Sequence, residues 1–234
     1  LTERQLFAIG DLHMDGGQDK PMDVFGSHWE NHFARIEADW RERVSKTDVV
    51  LVPGDISWAM YLEDAKSDLE KIGSLPGTKV IVRGNHDYWW SGITKVRDAL
   101  PKSVLAVQND CIVFEDFCLA GSRGWLLPQG DARLKAEDEK ILNREVARME
   151  ASLKAAGEKG AGRPIFVMMH YPPFSETGDE SEFTRLFVAY GVQKVVYGHL
   201  HGASAKSAFS GMRGGIEYRL VSADALDFKL AQLT

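Results

Sequence analysis

The chain has 234 residues, of which 44% are hydrophobic and 26% charged, the composition of a soluble globular protein with ample core. A formal charge of −6 and a pI near 5.7 exclude a general nucleic-acid binder, which needs a basic face. No apolar run can span a bilayer, and no basic start with an apolar stretch marks a signal peptide.

The length suits one large α/β domain or two small ones. No repeat, low-complexity tract or boundary interrupts the pattern, so residues 1–234 are expected to form a single domain. Phe7-Ala8-Ile9-Gly10 reads as a first strand with Asp11-Leu12-His13 at its end. Residues two apart on an extended segment point the same way, so Asp11 and His13 are expected to face one point. A polar loop runs from Asp15 to Gly26. Ser27 then reads as an N-cap, with Glu30 completing a capping box for a helix that buries Trp29, Phe33, Ile36, Trp40 and Val44. His28 and His32 are spaced for one helix face, either as a metal pair or as ordinary surface histidines.

Val49–Val52 is a second buried strand ending in Pro53-Gly54-Asp55. Leu62 to Leu75 reads as an amphipathic helix stopped by Pro76-Gly77. Lys79–Val82 is a third strand, running into Gly84-Asn85-His86-Asp87, and a short helix follows from Ile93 to Leu100. Residues 104–107, 111–114 and 117–120 read as short strands, the last two an antiparallel hairpin. A turn at Glu115-Asp116 would set Cys111 opposite Ala120 and Cys118 opposite Val113, a diagonal placement that disfavours a disulfide. Two unpaired cysteines fit a reducing cytoplasm. A long helix is expected over 132–156, a Gly-rich connector over 157–162, and a strand over 165–169 that ends in His170. A short helix over 183–190 precedes a strand at Val195–Tyr197 and then Gly198-His199-Leu200-His201. Residues 216–221 and 228–233 read as a closing pair of strands.

Five strand ends therefore carry Asp11 and His13, Asp55, Asn85 and His86, His170, and His199 and His201. Five of the seven histidines occupy these places. Ligands of open α/β sheets gather at the carboxyl ends of strands. Mixed oxygen and imidazole donors suit Mn, Fe, Zn, Co or Ni better than Ca.

In order and spacing, Asp11-x-His13, Gly54-Asp55, Gly84-Asn85-His86-Asp87, His170 and Gly198-His199-x-His201 resemble the calcineurin-like metallophosphoesterase superfamily. The resemblance implies an α/β sandwich of two mixed β-sheets flanked by helices. It implies two divalent metal ions, the first held by Asp11, His13 and His201, the second by Asn85, His170 and His199, with Asp55 bridging. His86 would assist the leaving group while a metal-bridging hydroxide attacks phosphorus. A binding scaffold that keeps the fold without catalysis, and a nuclease, are the rival readings.

The sequence departs from the superfamily at Gly54-Asp55-Ile56-Ser57-Trp58. Trp58 stands where many relatives carry the Asp that orients the catalytic histidine, leaving Asp87 or Asp64 as candidates for that task. The Arg-Gly of the protein Ser/Thr phosphatases is absent too. This disfavours a protein phosphatase and tilts the expectation toward a phosphodiester. Trp58, Trp89, Trp90 and Trp125 read chiefly as core. Trp58 and Trp89 also directly follow strand-end motifs, so they are candidates to stack on a nucleobase or other flat leaving group. Arg123 is either a phosphate clamp or a surface arginine. The expected partner is a phosphoester, nucleotide-like in one version, with no membrane and no general nucleic-acid binding.

Overall fold

The computed structural model describes residues 4–17, 22–130 and 132–234. The strands are β1 (Leu6–Ala8), β2 (Val49–Val52), β3 (Thr78–Ile81), β4 (Val104–Ala106), β5 (Cys111–Val113), β6 (Cys118–Ser122), β7 (Ile165–Met169), β8 (Val192–Tyr197), β9 (Gly211–Arg213), β10 (Ile216–Leu220) and β11 (Ala231–Gln232). The helices are α1 (His32–Arg43), α2 (Leu62–Ser74), α3 (Ile93–Ala99), α4 (Ala136–Lys159), α5 (Glu182–Ala189) and α6 (Gly202–Lys206).

Two mixed sheets result, ordered β11-β1-β2-β3-β4 and β5-β6-β7-β8-β10-β9. In the first, β1 to β4 are parallel and β11 is antiparallel to β1. In the second, β6, β7, β8 and β10 are parallel, with antiparallel edges β5 and β9. The parallel strands are apolar on both faces because both faces are covered. Alternate side chains divide the work. Leu6, Ala8, Val49, Leu51 and Val80 meet Leu119, Met168 and Val196 between the sheets. Phe7, Val50, Val52 and Ile81 turn outward onto Ile36, Trp40, Leu69, Ile72 and Val96 of α1 to α3. Ala120, Val167, Val195 and Tyr197 of the second sheet pack on Met149, Leu153, Phe183 and Phe187 of α4 and α5. This is the expected sandwich.

The β5–β6 hairpin has the expected register, Cys111 opposite Ala120 and Val113 opposite Cys118, and both thiols are free. Other elements differ. Residues 22–29 form two 3₁₀ turns, and α1 begins only at His32, behind Asn31 in the left-handed region (φ 53). Gly26 (φ 129) breaks the chain where the sequence suggests a capped helix, and Trp29 is drawn into the core ahead of α1. Part of the expected loop over 15–26, residues 18–21, lies outside the described residues. Gly157 does not end α4, which runs to Lys159 and turns at Ala161 and Gly162, both with positive φ. The closing strands do not pair with each other. β10 joins β8 in the second sheet and β11 joins β1 in the first. Among the described residues, no helix is long and apolar enough to cross a membrane.

Candidate metal centre

The loops after β1, β2, β3, β7 and β8 converge. The first two are stitched together by the amides of Asp11, His13 and Met14, which donate to the carbonyls of Gly54, Asp55 and Ile56. The backbone here is not the extended segment expected from the two-residue spacing. Asp11, His13, Asp55 and His199 have φ of 57°, 42°, 51° and 75°. Non-glycine residues seldom adopt this region, and each costs about 1–3 kcal/mol to hold there. Convergence is therefore achieved by tight left-handed turns. Gly84 is forced by the same crowding, because a Cβ on it would collide with the amide and carboxylate of Asp55.

Two groups of donors face each other. Asp11, His13 and His201 form one, and Asp11, Asp55 and His170 form another, each with its ligand atoms within 4.8 Å of one another. Asn85 Oδ1 lies 2.6 Å from His170 Nε2 and 3.0 Å from His199 Nδ1. Asp55 Oδ2 lies between, 3.8 Å from His13 Nε2 and 3.5 Å from His170 Nε2. All seven residues expected as ligands thus meet in one place.

Electrostatics make the cluster unlike ordinary protein interior. Burial drives the Asp55 carboxyl up to about 7, against the pull of His170 and with help from Asp11 and Asp87. Burial would raise Asp11 too, but His201, His170 and His13 outweigh it and hold Asp11 below the usual carboxylate range. Burial lowers His13 and His199 to about 3, with neighbouring imidazoles adding to the effect. His201 moves the other way, to about 10, because the carboxylates of Asp11 and Asp224 overcome its burial.

These donors fit divalent transition metals. His170 Nδ1 lies 2.9 Å from the Pro53 carbonyl, so it carries the proton and leaves an Nε2 lone pair facing Asn85 and His199. His201 Nδ1 lies 2.8 Å from Asp224 Oδ1, which turns His201 Nε2 toward Asp11. An outer carboxylate of this kind orients metal-binding histidines generally. Imidazoles with lone pairs ready and two buried carboxylates that pair with no Lys or Arg among the described residues call for cations. Asp224 escaped the sequence reading. The signal was present, since it follows Val221 just beyond β10 as another carboxylate at a strand end.

The residues around the cluster sort themselves differently from expectation. Both oxygens of buried Asp87 are claimed by the amides of Asp55, Ile56, Ser57 and Gly84 and by the indole N–H of Trp89. Asp87 therefore braces two loops instead of orienting His86, and Asp64 sits exposed in the first turn of α2. The hydroxyl of Tyr88 lies 3.4 Å from His86 Nδ1, and the Trp58 ring is 4.5 Å from that imidazole. Trp58 also stacks on His13 at 5.0 Å and lines a cavity of about 290 Å³ with Met22, Trp29 and His86. Trp89, by contrast, is 1% exposed with its indole N–H held by Asp87, so the structure gives it to the core and not to a substrate. Trp90 is likewise buried, on Gln108. Arg123 is no surface residue: its guanidinium lies over Trp125 and 3.5 Å from Glu145, away from the cavity beside His86. His32 is a packing residue whose Nε2–H donates to the Leu12 carbonyl oxygen at 2.9 Å. His28 lines the cavity wall.

The sequence pattern of the calcineurin-like phosphoesterases matches residues 5–203. No curated protein sequence matches the chain. Among solved structures, the protein of unknown function AQ665 from Aquifex aeolicus is similar at TM-score 0.52 and 12% identity, over 98% of this chain and 96% of that one. The phosphopantetheinyl hydrolase PptH from Mycobacterium tuberculosis is similar at TM-score 0.62 and 17% identity, over 99% and 96%. At such identities the two likenesses speak for the fold alone. The family match over most of the chain, together with a metal-ready cluster at its strand ends, identifies the chain as a member of the calcineurin-like phosphoesterases, metal-dependent hydrolases of phosphoester bonds.

Proposed function

We propose that the chain hydrolyses phosphodiesters in preference to phosphomonoesters, with Asp11, His13 and His201 holding one divalent ion and Asn85, His170 and His199 a second. Asp55 would be shared between them. The observation that carries the reading is the place of Asp55 Oδ2, between His13 on one side and His170 on the other. A carboxylate can serve two cations, whereas a neutral imidazole has one lone pair to give. When bound, two such ions supply a nucleophile at neutral pH and neutralise the phosphoryl oxygens.

The chain's own residues do the rest. Pro53 and Asp224 fix the protons on His170 and His201, so each ring presents its other nitrogen. The amide of His86 donates to Asp55 Oδ1 at 2.8 Å, which ties the imidazole's position to the shared carboxylate. His86 gives its proton to the departing oxygen. Trp58, Trp29 and Met22 wall the space beside it, and their apolar faces keep water from that oxygen.

The diester preference follows from charge. Among the described residues no Lys or Arg lines the cavity beside His86, and the Arg123 guanidinium lies over Trp125 and beside Glu145. A monoester dianion would find one cation fewer than in an Arg-bearing site, and a diester monoanion needs less. The name of the Mycobacterium neighbour makes a phosphopantetheinyl ester a sensible member of the substrate panel. Metal analysis of wild type and Asp55→Ala tests the ligand set. Two ions per chain in the wild type, with joint loss of metal and turnover in the variant, are expected. Full occupancy and a near-normal rate in Asp55→Ala would refute the shared carboxylate. Comparing kcat/KM for bis-nitrophenyl phosphate and nitrophenyl phosphate tests the preference, and a strong monoester bias would end it.

A further inference from the structure

We infer that the hollow walled by Tyr171, Phe174 and Phe209 is a second substrate subsite, which takes the retained, uncharged organic arm of a phosphodiester. This rests on the diesterase reading above and adds the place and chemistry of the second arm.

Three cavities touch the metal-ready cluster among the described residues. One, about 290 Å³, contains His86 and Trp58; a second, about 390 Å³, shares His199 with it; the third, about 430 Å³, reaches His13 and is walled by the carboxylates of Asp15, Asp23, Glu30 and Asp68, which repel an anionic substrate. A phosphate held at the cluster can therefore send one substituent into each of the first two. The second volume falls within the roughly 300–1,000 Å³ usual for small-molecule pockets.

Its walls state what it accepts. Trp125, Leu127, Tyr171, Phe174, Leu200 and Phe209 supply apolar surface, and among the described residues no Lys or Arg lines it. A second phosphate or a carboxylate on the arm would find no cation among the described lining residues, since Arg213 is held against the Phe174 and Phe209 rings and the Gly178 carbonyl, and Glu176 would repel it. An alkyl or aryl chain gains burial against the aromatic wall, and an amide-linked chain also finds hydrogen-bond partners in Gln129, Ser175, Ser204 and Ser207. The walls are also held in place before anything binds. Tyr171 packs on His199 with ring centres 4.2 Å apart. Phe174 and Phe209 meet edge to face, and the Arg213 guanidinium lies over both rings at 4.6 and 4.4 Å. The Tyr197 hydroxyl donates to the Phe209 carbonyl at 2.6 Å.

The two cavities then fix which bond breaks. Water adds its oxygen to phosphorus and loses a proton to solvent, from which His86 is reprotonated after turnover. The bond from phosphorus to the arm beside His86 breaks, its electron pair going to the departing oxygen, which takes the His86 proton and leaves as an alcohol. The arm beside Tyr171 stays on phosphorus, so the second product is its phosphomonoester.

The test uses nitrophenyl alkyl phosphodiesters whose retained arm is methyl or hexyl, with metal-loaded full-length protein. In the wild type kcat/KM should rise about ten-fold or more from methyl to hexyl, as expected for burying a few methylene groups. Ser207→Trp fills the hollow and Leu126→Glu charges its mouth. Both positions are exposed, so the core is untouched. Each variant should bring the hexyl-to-methyl ratio close to one. Hexyl phosphate, the product, should inhibit the wild type more tightly than methyl phosphate and lose that advantage in both variants. Equal methyl and hexyl rates in the wild type, or an undiminished ratio in both variants, would overturn the subsite while leaving diester hydrolysis standing. Turnover of nitrophenyl phosphate with no cleavage of any diester would overturn the diesterase reading itself.

Discussion

Replacing Asp87 by Asn changes one atom and tests how the centre is braced. In the wild type, Asp87 Oδ1 accepts from Ile56 N (2.8 Å), Ser57 N (3.2 Å) and Trp89 Nε1 (3.0 Å). Oδ2 accepts from Asp55 N (2.9 Å) and Gly84 N (2.7 Å). An asparagine has one oxygen and one NH₂. With its oxygen toward the set of three, the NH₂ faces two buried backbone donors. Each buried donor left without an acceptor costs about 1–3 kcal/mol, so the variant should lose about 2–6 kcal/mol of unfolding free energy. That is a large share of the roughly 5–15 kcal/mol that a domain has. Urea unfolding in the presence of a chelator reads the number without a contribution from metal. Because the Asp55 amide is one of the two orphaned donors, metal affinity should fall as well. A variant within about 1 kcal/mol of wild type, with metal affinity intact, would refute the bracing role, since no arrangement of one amide satisfies five donors.

Further outcomes follow from the same geometry. His86→Ala should keep its metal yet lose about 10²–10⁴ in turnover of alkyl esters, with a smaller loss for nitrophenyl esters, whose leaving oxygen needs little protonation. Equal losses for both would contradict a proton-donor role. Asp224→Ala should weaken metal binding about 10–100-fold by freeing the His201 ring, measured by competition with a chelating dye. In chelated protein the Asp55 carboxyl, raised to about 7 from 3.8, holds its proton when folded and loses it when unfolded across that window. The folded state then binds more protons, so the stability this residue contributes falls as pH climbs from 3.8 to 7. Subtracting the Asp55→Asn stability curve from that of wild type should isolate the decline, and a flat difference would exclude it.

The strand ends were readable because two signals coincide in each: an apolar run for a covered parallel strand, then a polar residue beside a glycine or at the next bend. That sufficed for the sandwich and for the residues that gather at its rim. It did not show how they gather. The left-handed turns at Asp11, His13, Asp55 and His199 carry no composition signal, since Asp and His occur in every kind of loop. Asp87 was visible as part of Gly84-Asn85-His86-Asp87, but its task depends on which way its carboxylate points, and tertiary contacts decide that. Trp89 and Trp58 both follow strand-end motifs, yet one is sealed inside and the other faces the cavity. β9 was missed because its residues Gly211 and Met212 are exposed and show no alternation. The 3₁₀ turns before α1 were misread because a capping box is a local preference, and the pull of Trp29 into the core outweighs it.

The position of β1 has a consequence for synthesis. It lies between β2 and β11, and its loop is pinned from the far end of the sequence: Gly10 N donates to Val221 O at 2.7 Å and Ala223 N to Gly10 O at 3.1 Å. The Leu6 amide bonds the Thr234 hydroxyl, 228 positions later. At about 5–20 residues per second, a ribosome needs roughly 11–46 s to make that interval. Through it Leu6 and Phe7 line an open sheet edge, a template for wrong pairings that a nascent-chain chaperone would have to shield. Asp11 and His13 find Gly54 and Asp55 early, but the Asp11 carboxylate waits through most of the interval for the His199 amide that donates to it. Metal capture therefore waits until the segment around Val221 and Ala223 has been made, and a nascent chain stalled before it should take up none.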